Sequence, residues 1–374
     1  MLTSASNHKG NTVLLKTFGW SMAVTVVALL ATLVVGGVTP FAVVAILIVL
    51  EVSLSFDNAV VNAKILVRMN DFWQKMFLTV GVLIAVFGMR LVFPLALVAV
   101  TAKLNPVEVV RLALDGGPIT TPGTYANLIS NAHPAIAGFG GMFLGMLFLD
   151  WLFEQRDIHW LTWLERPLAR IGSLDQVSVV IASIALVLAA LFLGPHAHSG
   201  DQSFEVLIAG ILGIVTYLVV NGLGTLFEEG GDDEDEAGGS NGPSALAKAG
   251  GKAGFFLFLY LEVLDASFSF DGVVGAFAIT QDIFLIAVGL GVGAFWIRSL
   301  TLYLVHKGTL DDYVYLEHGA HWAIGALAVL LLITIEYEVP EVVTGLIGVG
   351  FIGAAFINSI VRNKRVAEKP HATV

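Results

Sequence analysis

Ten runs of about twenty apolar residues leave this chain few folds to choose from. They span roughly residues 18–36, 40–66, 76–101, 134–153, 177–195, 204–226, 254–280, 283–304, 319–336 and 340–361. In hydrocarbon a backbone must satisfy its own N–H and C=O groups, and about twenty helical residues cross the roughly 30 Å of a bilayer core. The expected fold is therefore an all-α polytopic membrane protein with about ten transmembrane helices. Only 13% of residues are charged and 56% are hydrophobic, against about 25% charged in a soluble domain. Cysteine is absent, so any bound cation must rely on oxygen ligands or on the nine histidines. Lys9 and Lys16 precede the first apolar run as in an export signal, but no small-residue cleavage site follows, so a retained helix is expected.

Orientation follows from the basic residues. With the amino terminus inside, 15 of the 19 lysines and arginines fall in inner connections, and only Lys103 and Arg111 lie outside. Both termini are then cytoplasmic. The remaining two, Arg90 and Arg298, fall within apolar runs. Two connections are long: 102–133 outside, and the acidic linker 227–252 inside, which holds much of the net charge of −11. Lipid is the expected partner, and nucleic acid is not.

Within the second run lies LEVSLSFDNAVVNA, residues 50–63, and within the seventh lies EVLDASFSFDGVVGA, residues 262–276. A shift of 214 lays Asp57 on Asp271, Ser55 on Ser269 and Glu51 on Asp265. Acids in mid-membrane cost at least about 2.5–3.5 kcal/mol each by insertion scales, so by default they mark an ion or substrate path. The match continues: Arg90 answers to Arg298, AHPAIAG at 132 to AHWAIG at 320, and Asp150 to Glu338. Five helices separate the two acidic runs, so they cross in opposite senses. This predicts two inverted five-helix repeats, 1–199 and 200–374, with a site between them near mid-membrane.

Glu51, Ser55, Asn58 and Asn62 form one helical stripe, whereas Asp57 points about 120° away from Glu51. The second run is also too long for the bilayer, at about 40 Å, so it must tilt, protrude or break, and a break near Ser53–Ser55 would free backbone carbonyls and bring both acids to one site. Carboxylates, an amide and hydroxyls suit Mg²⁺, Mn²⁺ or Ca²⁺. The expected ligands are Glu51, Asp57, Asn58, Glu262, Asp265 and Asp271, with Arg90 and Arg298 balancing charge when the site is empty. Cation binding would displace protons, giving cation/proton exchange. The cation is cargo, and no cofactor or catalytic activity is expected. His133 and His321, at the starts of their runs, are expected to line helix interfaces, and Asp150 and Glu338 to meet water.

These residues resemble the TerC family of integral membrane proteins, named for tellurium resistance and grouped with the LysE-like transporters. The family's first signature, Glu and then Leu-Ser-x-Asp-Asn, is matched by Glu51, Leu54, Ser55, Asp57 and Asn58. The second is matched by Glu262, Asp265, Phe268 and Asp271, but Gly272, Val273 and Val274 stand where the family has Ser-Ile-Pro. The resemblance is thus to a divergent branch. It implies export of Mn²⁺ or a related divalent cation across a bacterial cytoplasmic membrane.

Three other readings compete. A non-transporting membrane partner would supply metal to envelope proteins or scaffold them, and a small-solute exporter would carry an organic cargo. An intramembrane aspartyl hydrolase would pair Asp57 with Asp271 as a dyad, but the Gly-x-Gly-Asp context of such enzymes is missing around both.

Overall fold

A computed structural model describes residues 3–172, 176–197, 200–229, 250–280, 282–307 and 313–367. Among them there is no β-strand, and each of the ten apolar runs is helical. The helices are α1 (Thr3–Gly36), α2 (Val38–Leu54), α3 (Phe56–Arg68), α4 (Asp71–Met76), α5 (Phe93–Thr101), α6 (Pro106–Asp115) and α7 (Tyr125–Phe153). There follow α8 (Thr162–Ile171), α9 (Val177–Phe192), α10 (Ser203–Glu229), α11 (Gly251–Ile279), α12 (Ile283–Lys307), α13 (Leu316–Ile333) and α14 (Glu341–Ala367). Among the described residues seven helices are long and apolar enough to cross a bilayer, or eight if the bent pair 71–81 and 84–100 is one span. The chain is a multi-pass membrane protein.

Local chemistry sets the interruptions. Gly37, at φ 82°, lies in the left-handed region and turns the chain from α1 into α2. A Cβ on Gly36 would stand 2.6 Å from the Pro40 ring. The second apolar run is interrupted at Ser55, where φ is −98° and ψ is 15°, so it is two helices, α2 and α3. Of tilting, protruding or breaking, the over-long run thus breaks, at the end of the Ser53–Ser55 stretch. The seventh run, α11, is continuous. The third run passes through two π-helical segments, Phe77–Gly81 and Ile84–Val92, and bends by 42°. Wider turns shift the hydrogen-bond register, which accounts for the bend. Asn70 and Asn105 cap α4 and α6, accepting from the Trp73 and Val107 amides.

By packing, the chain divides into two compact units that each draw on both sequence halves. One comprises residues 1–55, 65–133 and 220–303, and the other 56–64, 134–219 and 304–374. In the first, Val44 and Ile48 of α2 meet Val292 of α12, with Val24, Ala28 and Leu29 of α1 around them. Polar contacts hold α1 to α12: Ser21 Oγ donates to the Phe295 carbonyl at 3.0 Å, and Trp296 Nε1 to Thr25 Oγ1 at 2.9 Å.

The second unit is built on small residues at helix crossings. Gly213 of α10 lies against the Phe139 carbonyl of α7, and Gly141 of α7 against Ala328 and Leu332 of α13. Gly319 of α13 lies against Phe351 and Ala355 of α14. Lipid supplies no hydrophobic drive between helices, so close backbone approach and dispersion have to hold them. Asp150 is half-buried and accepts a hydrogen bond of 2.8 Å from Tyr217.

A Cβ on Gly319 would lie 2.8 Å from the Phe351 carbonyl oxygen, whereas one on Gly353 meets nothing within 4 Å. Gly319→Ala should therefore overpack the α13–α14 crossing, at about 1–3 kcal/mol, and lower the thermal unfolding midpoint in detergent. Gly353→Ala should leave it unchanged.

Candidate functional site

The first unit buries five charged side chains: Glu51 on α2, Arg90 on the second π-helical segment, Glu262 and Asp265 on α11, and Arg298 on α12. None is more than 4% exposed. Bare carboxylates in so dry a place would be strongly destabilised, so each must find counter-charge or hydrogen-bond donors.

Glu51 finds both. Its Oε1 accepts from Ser55 Oγ at 3.1 Å and from Arg90 Nη2 in a buried ion pair. Arg90 Nη1 donates to the Ala85 carbonyl five residues back, which fixes the guanidinium. Two glycines make room for the acid. A Cβ on Gly293 would collide with the Glu51 side chain, and one on Gly272 would stand 3.1 Å from Glu51 Oε2. Gly272 follows Asp271 on α11, so the two acidic stretches meet at the Glu51 carboxylate.

Arg298 serves the other acids more loosely. Its Nη2 lies 3.6 Å from Glu262 Oε1 and 3.5 Å from Asp265 Oδ2. The guanidinium sits 3.6 Å above the Phe77 ring, a cation–π contact, and Nη2 donates to the Gly81 carbonyl at 3.4 Å. Gly81 is needed here, because a Cβ would stand 2.6 Å from Glu262 Oε1. Among the described residues no hydrogen-bond partner reaches either oxygen of Glu262, Asp265 Oδ2 or Arg298 Nη1. The five groups carry one net negative charge when all are ionised.

Of the expected site residues, the structure brings together Glu51, Glu262, Asp265, Arg90 and Arg298. Asn58 is buried in the second unit, as is Asn62, whose amide has no hydrogen-bond partner among the described residues. The side chains of Asp57 and Asp271 lie outside the described residues. Among the described residues no group of three or more acids and histidines is placed to hold a metal ion. The three acids face guanidinium groups.

The second unit holds a polar cluster that sequence reasoning missed. Glu165 of α8 is fully buried. It accepts from the Trp160 and Leu161 amides at 3.0 and 3.3 Å and from Trp322 Nε1 at 3.1 Å, and His318 Nδ1 lies 3.2 Å away. Burial pushes this carboxyl up, but His318, Trp322 and the Leu161 amide outweigh burial and hold it down at about 2. Beside it, His321 stacks on Trp151 with centroids 4.6 Å apart, and Arg156 lies 3.7 Å above the same indole. His321 thus lines a helix interface, as expected. Lys64 pairs with Glu317 and ties α3 to α13. The spacing Glu317-His318-x-x-His321-Trp322 was the available signal; Glu165 gave none, because an acid in a basic connection reads as solvated.

Together these features define a multi-pass helical membrane protein with a buried carboxylate–guanidinium network. The chain belongs to the family described as protein of unknown function (DUF475), whose profile matches residues 56–366. No curated protein and no solved structure matches it.

Arg90→Gln should leave the Glu51 carboxylate buried without its counter-charge and cost about 3–5 kcal/mol. Adding Glu51→Gln should recover part of that loss, giving a non-additive double-mutant cycle in thermal unfolding. Strictly additive effects would mean that the pair is not coupled.

The Glu165 carboxyl falls from an ordinary 4.5 to about 2 in the folded protein. A depressed folded value stabilises fully above the unfolded one and is lost as pH falls from 4.5 towards 2, here roughly 3 kcal/mol. Glu165→Gln should therefore unfold more readily than the parent at neutral pH. The gap should close across that acidic window, as followed by tryptophan fluorescence in detergent.

Proposed function

We propose that this protein is a carrier that exports a divalent cation, with Mn²⁺ as the expected cargo, across a bacterial cytoplasmic membrane by exchange for protons. In this reading the ten helical runs form two inverted five-helix repeats with both termini in the cytoplasm. The observation that carries it is the meeting of the repeated acidic stretches at Glu51 and Gly272. The resemblance of those stretches to the TerC signatures supports the choice of cargo.

The chemistry follows from charge. With one net negative charge, the five-membered cluster tolerates being empty but gains from a proton or a cation. Among the described residues no donor reaches either oxygen of Glu262 or Asp265 Oδ2, and in this reading those oxygens take the exchangeable proton. An incoming cation displaces those protons in this reading, while Arg90 and Arg298 hold the remaining charge.

A second reading, a membrane partner that scaffolds envelope proteins without transport, draws on one observation: the described acids are already matched by arginines, with no three-ligand group among the described residues.

The two readings separate in purified, reconstituted vesicles. The carrier should move radiolabelled Mn²⁺ down an imposed proton gradient, and Asp57→Asn and Asp271→Asn should each reduce flux at least about tenfold, the loss expected for about 1.4 kcal/mol of site energy. No flux in the parent protein would leave the scaffold reading, and unchanged flux in both variants would remove the carboxylate site.

A further inference from the structure

Between α5 and α7 lies a short helix whose side chains sort into three sectors. Asn105 caps α6 at its start, and Gly116, at φ 68° in the left-handed region, ends it. Its ten residues are about 15 Å long, too short to cross a bilayer. In the chain it joins the bent pair that ends at residue 100 to α7, both long and apolar enough to cross. α6 therefore sits at a membrane face.

At about 100° per residue the sectors are centred about 100–140° apart. Val109 and Ala113, both buried, fall together with the half-buried Leu112 and form the side that packs into the protein, with α5 as its neighbour. Next around the helix come Val110, Leu114 and Val107, which are 41%, 57% and 63% exposed. Then come Arg111, Asp115 and Glu108, all exposed. A helix surrounded by water has no use for a separate exposed apolar sector, and a helix within hydrocarbon cannot carry the charged one. A helix lying along the boundary beside its own protein requires both, on adjacent sides of the face it packs with. The preceding run exposes Val92 and, on its last turn, Val100 at 75%, so the apolar surface of that run reaches almost to the start of α6.

We propose that α6 lies along the bilayer boundary as a lipid-docking helix, with Val107, Val110 and Leu114 entering the acyl-chain edge and Glu108, Arg111 and Asp115 in the water above it. The partner is phospholipid of any headgroup. Two carboxylates and one guanidinium give the helix one net negative charge, so an anionic surface adds nothing to its docking. Basic amphipathic helices are drawn down by charge; this one is held by its apolar sector and by the spans on either side of it in the chain. Burial of Val109 and Ala113 fixes the rotation of the helix, so the apolar sector cannot turn away from the lipid. The assignment does not depend on what the protein transports.

The chain has no cysteine, so a single label reports a single position. Full-length protein carrying one of Val107→Cys, Val110→Cys, Leu114→Cys, Glu108→Cys, Arg111→Cys or Asp115→Cys is spin-labelled and reconstituted in phosphatidylcholine. The ratio of oxygen to nickel-chelate accessibility should be several-fold higher at the first three positions than at the last three, and added phosphatidylglycerol should not raise it. Val110→Asp with Leu114→Asp should bring the ratio at Val107→Cys down to that of the charged sector, at an unchanged unfolding midpoint. Equal ratios in the two sectors would put the whole helix in water and overturn the assignment. So would labels at 110 and 114 that are shielded from both reagents, because protein, such as a second copy of this chain, would then cover the sector. A midpoint lowered by the aspartate pair would likewise overturn it, since the sector would then be packed inside the fold.

Discussion

A carboxylate and a guanidinium that share a dry interior constrain this molecule more than any other contact. Glu51 alone would be intolerable at its depth, and so would Arg90; paired, with Ser55 and the Ala85 carbonyl completing their hydrogen bonds, they tolerate burial. The pairing dictates small residues around it. Gly272 and Gly293 are beside Glu51, and Gly81 is beside Glu262, because any Cβ would occupy the space of a buried acid. The surrounding helices are thereby brought into register with the charges they enclose.

The two polar clusters solve the burial problem differently. Glu165 receives donors from two amides, an indole and an imidazole, so it has little capacity left and behaves as a structural rivet between α8 and α13. Glu262 and Asp265 stand beside Arg298 at 3.5–3.6 Å with oxygens left over. A saturated acid holds elements together, whereas an unsaturated one invites a proton or an ion. In the carrier we propose, that difference separates the part of the fold that must stay still from the part that exchanges.

Much of this was legible in the chain. Helical runs were readable because lipid forces each apolar segment to satisfy its own backbone. That the second run is too long to cross straight was readable because twenty-seven residues overshoot the bilayer, but that it breaks at Ser55 instead of tilting or protruding was not. That Arg90 and Arg298 answer the buried acids followed from charge balance alone. Other features were not readable. Among the described residues seven or eight helices meet the length and polarity expected of a span, and α2 is short because the run breaks at Ser55. Asp150 read as an end-of-helix residue in water; it is half-buried, and only the tertiary structure brings Tyr217 of α10 to it as a donor.

The order of apolar and polar residues along the chain determined that it is helical, that it resides in a membrane and that acids recur within its apolar runs, since each depends only on local burial and period. Tertiary structure alone decided which arginine meets which acid, that Gly272 stands at the Glu51 carboxylate, and that Glu165 turns inward while Arg166 and Arg170 turn out. Those outcomes depend on distances of a few ångströms between residues tens to hundreds of positions apart, and periodicity within one segment carries no information about them.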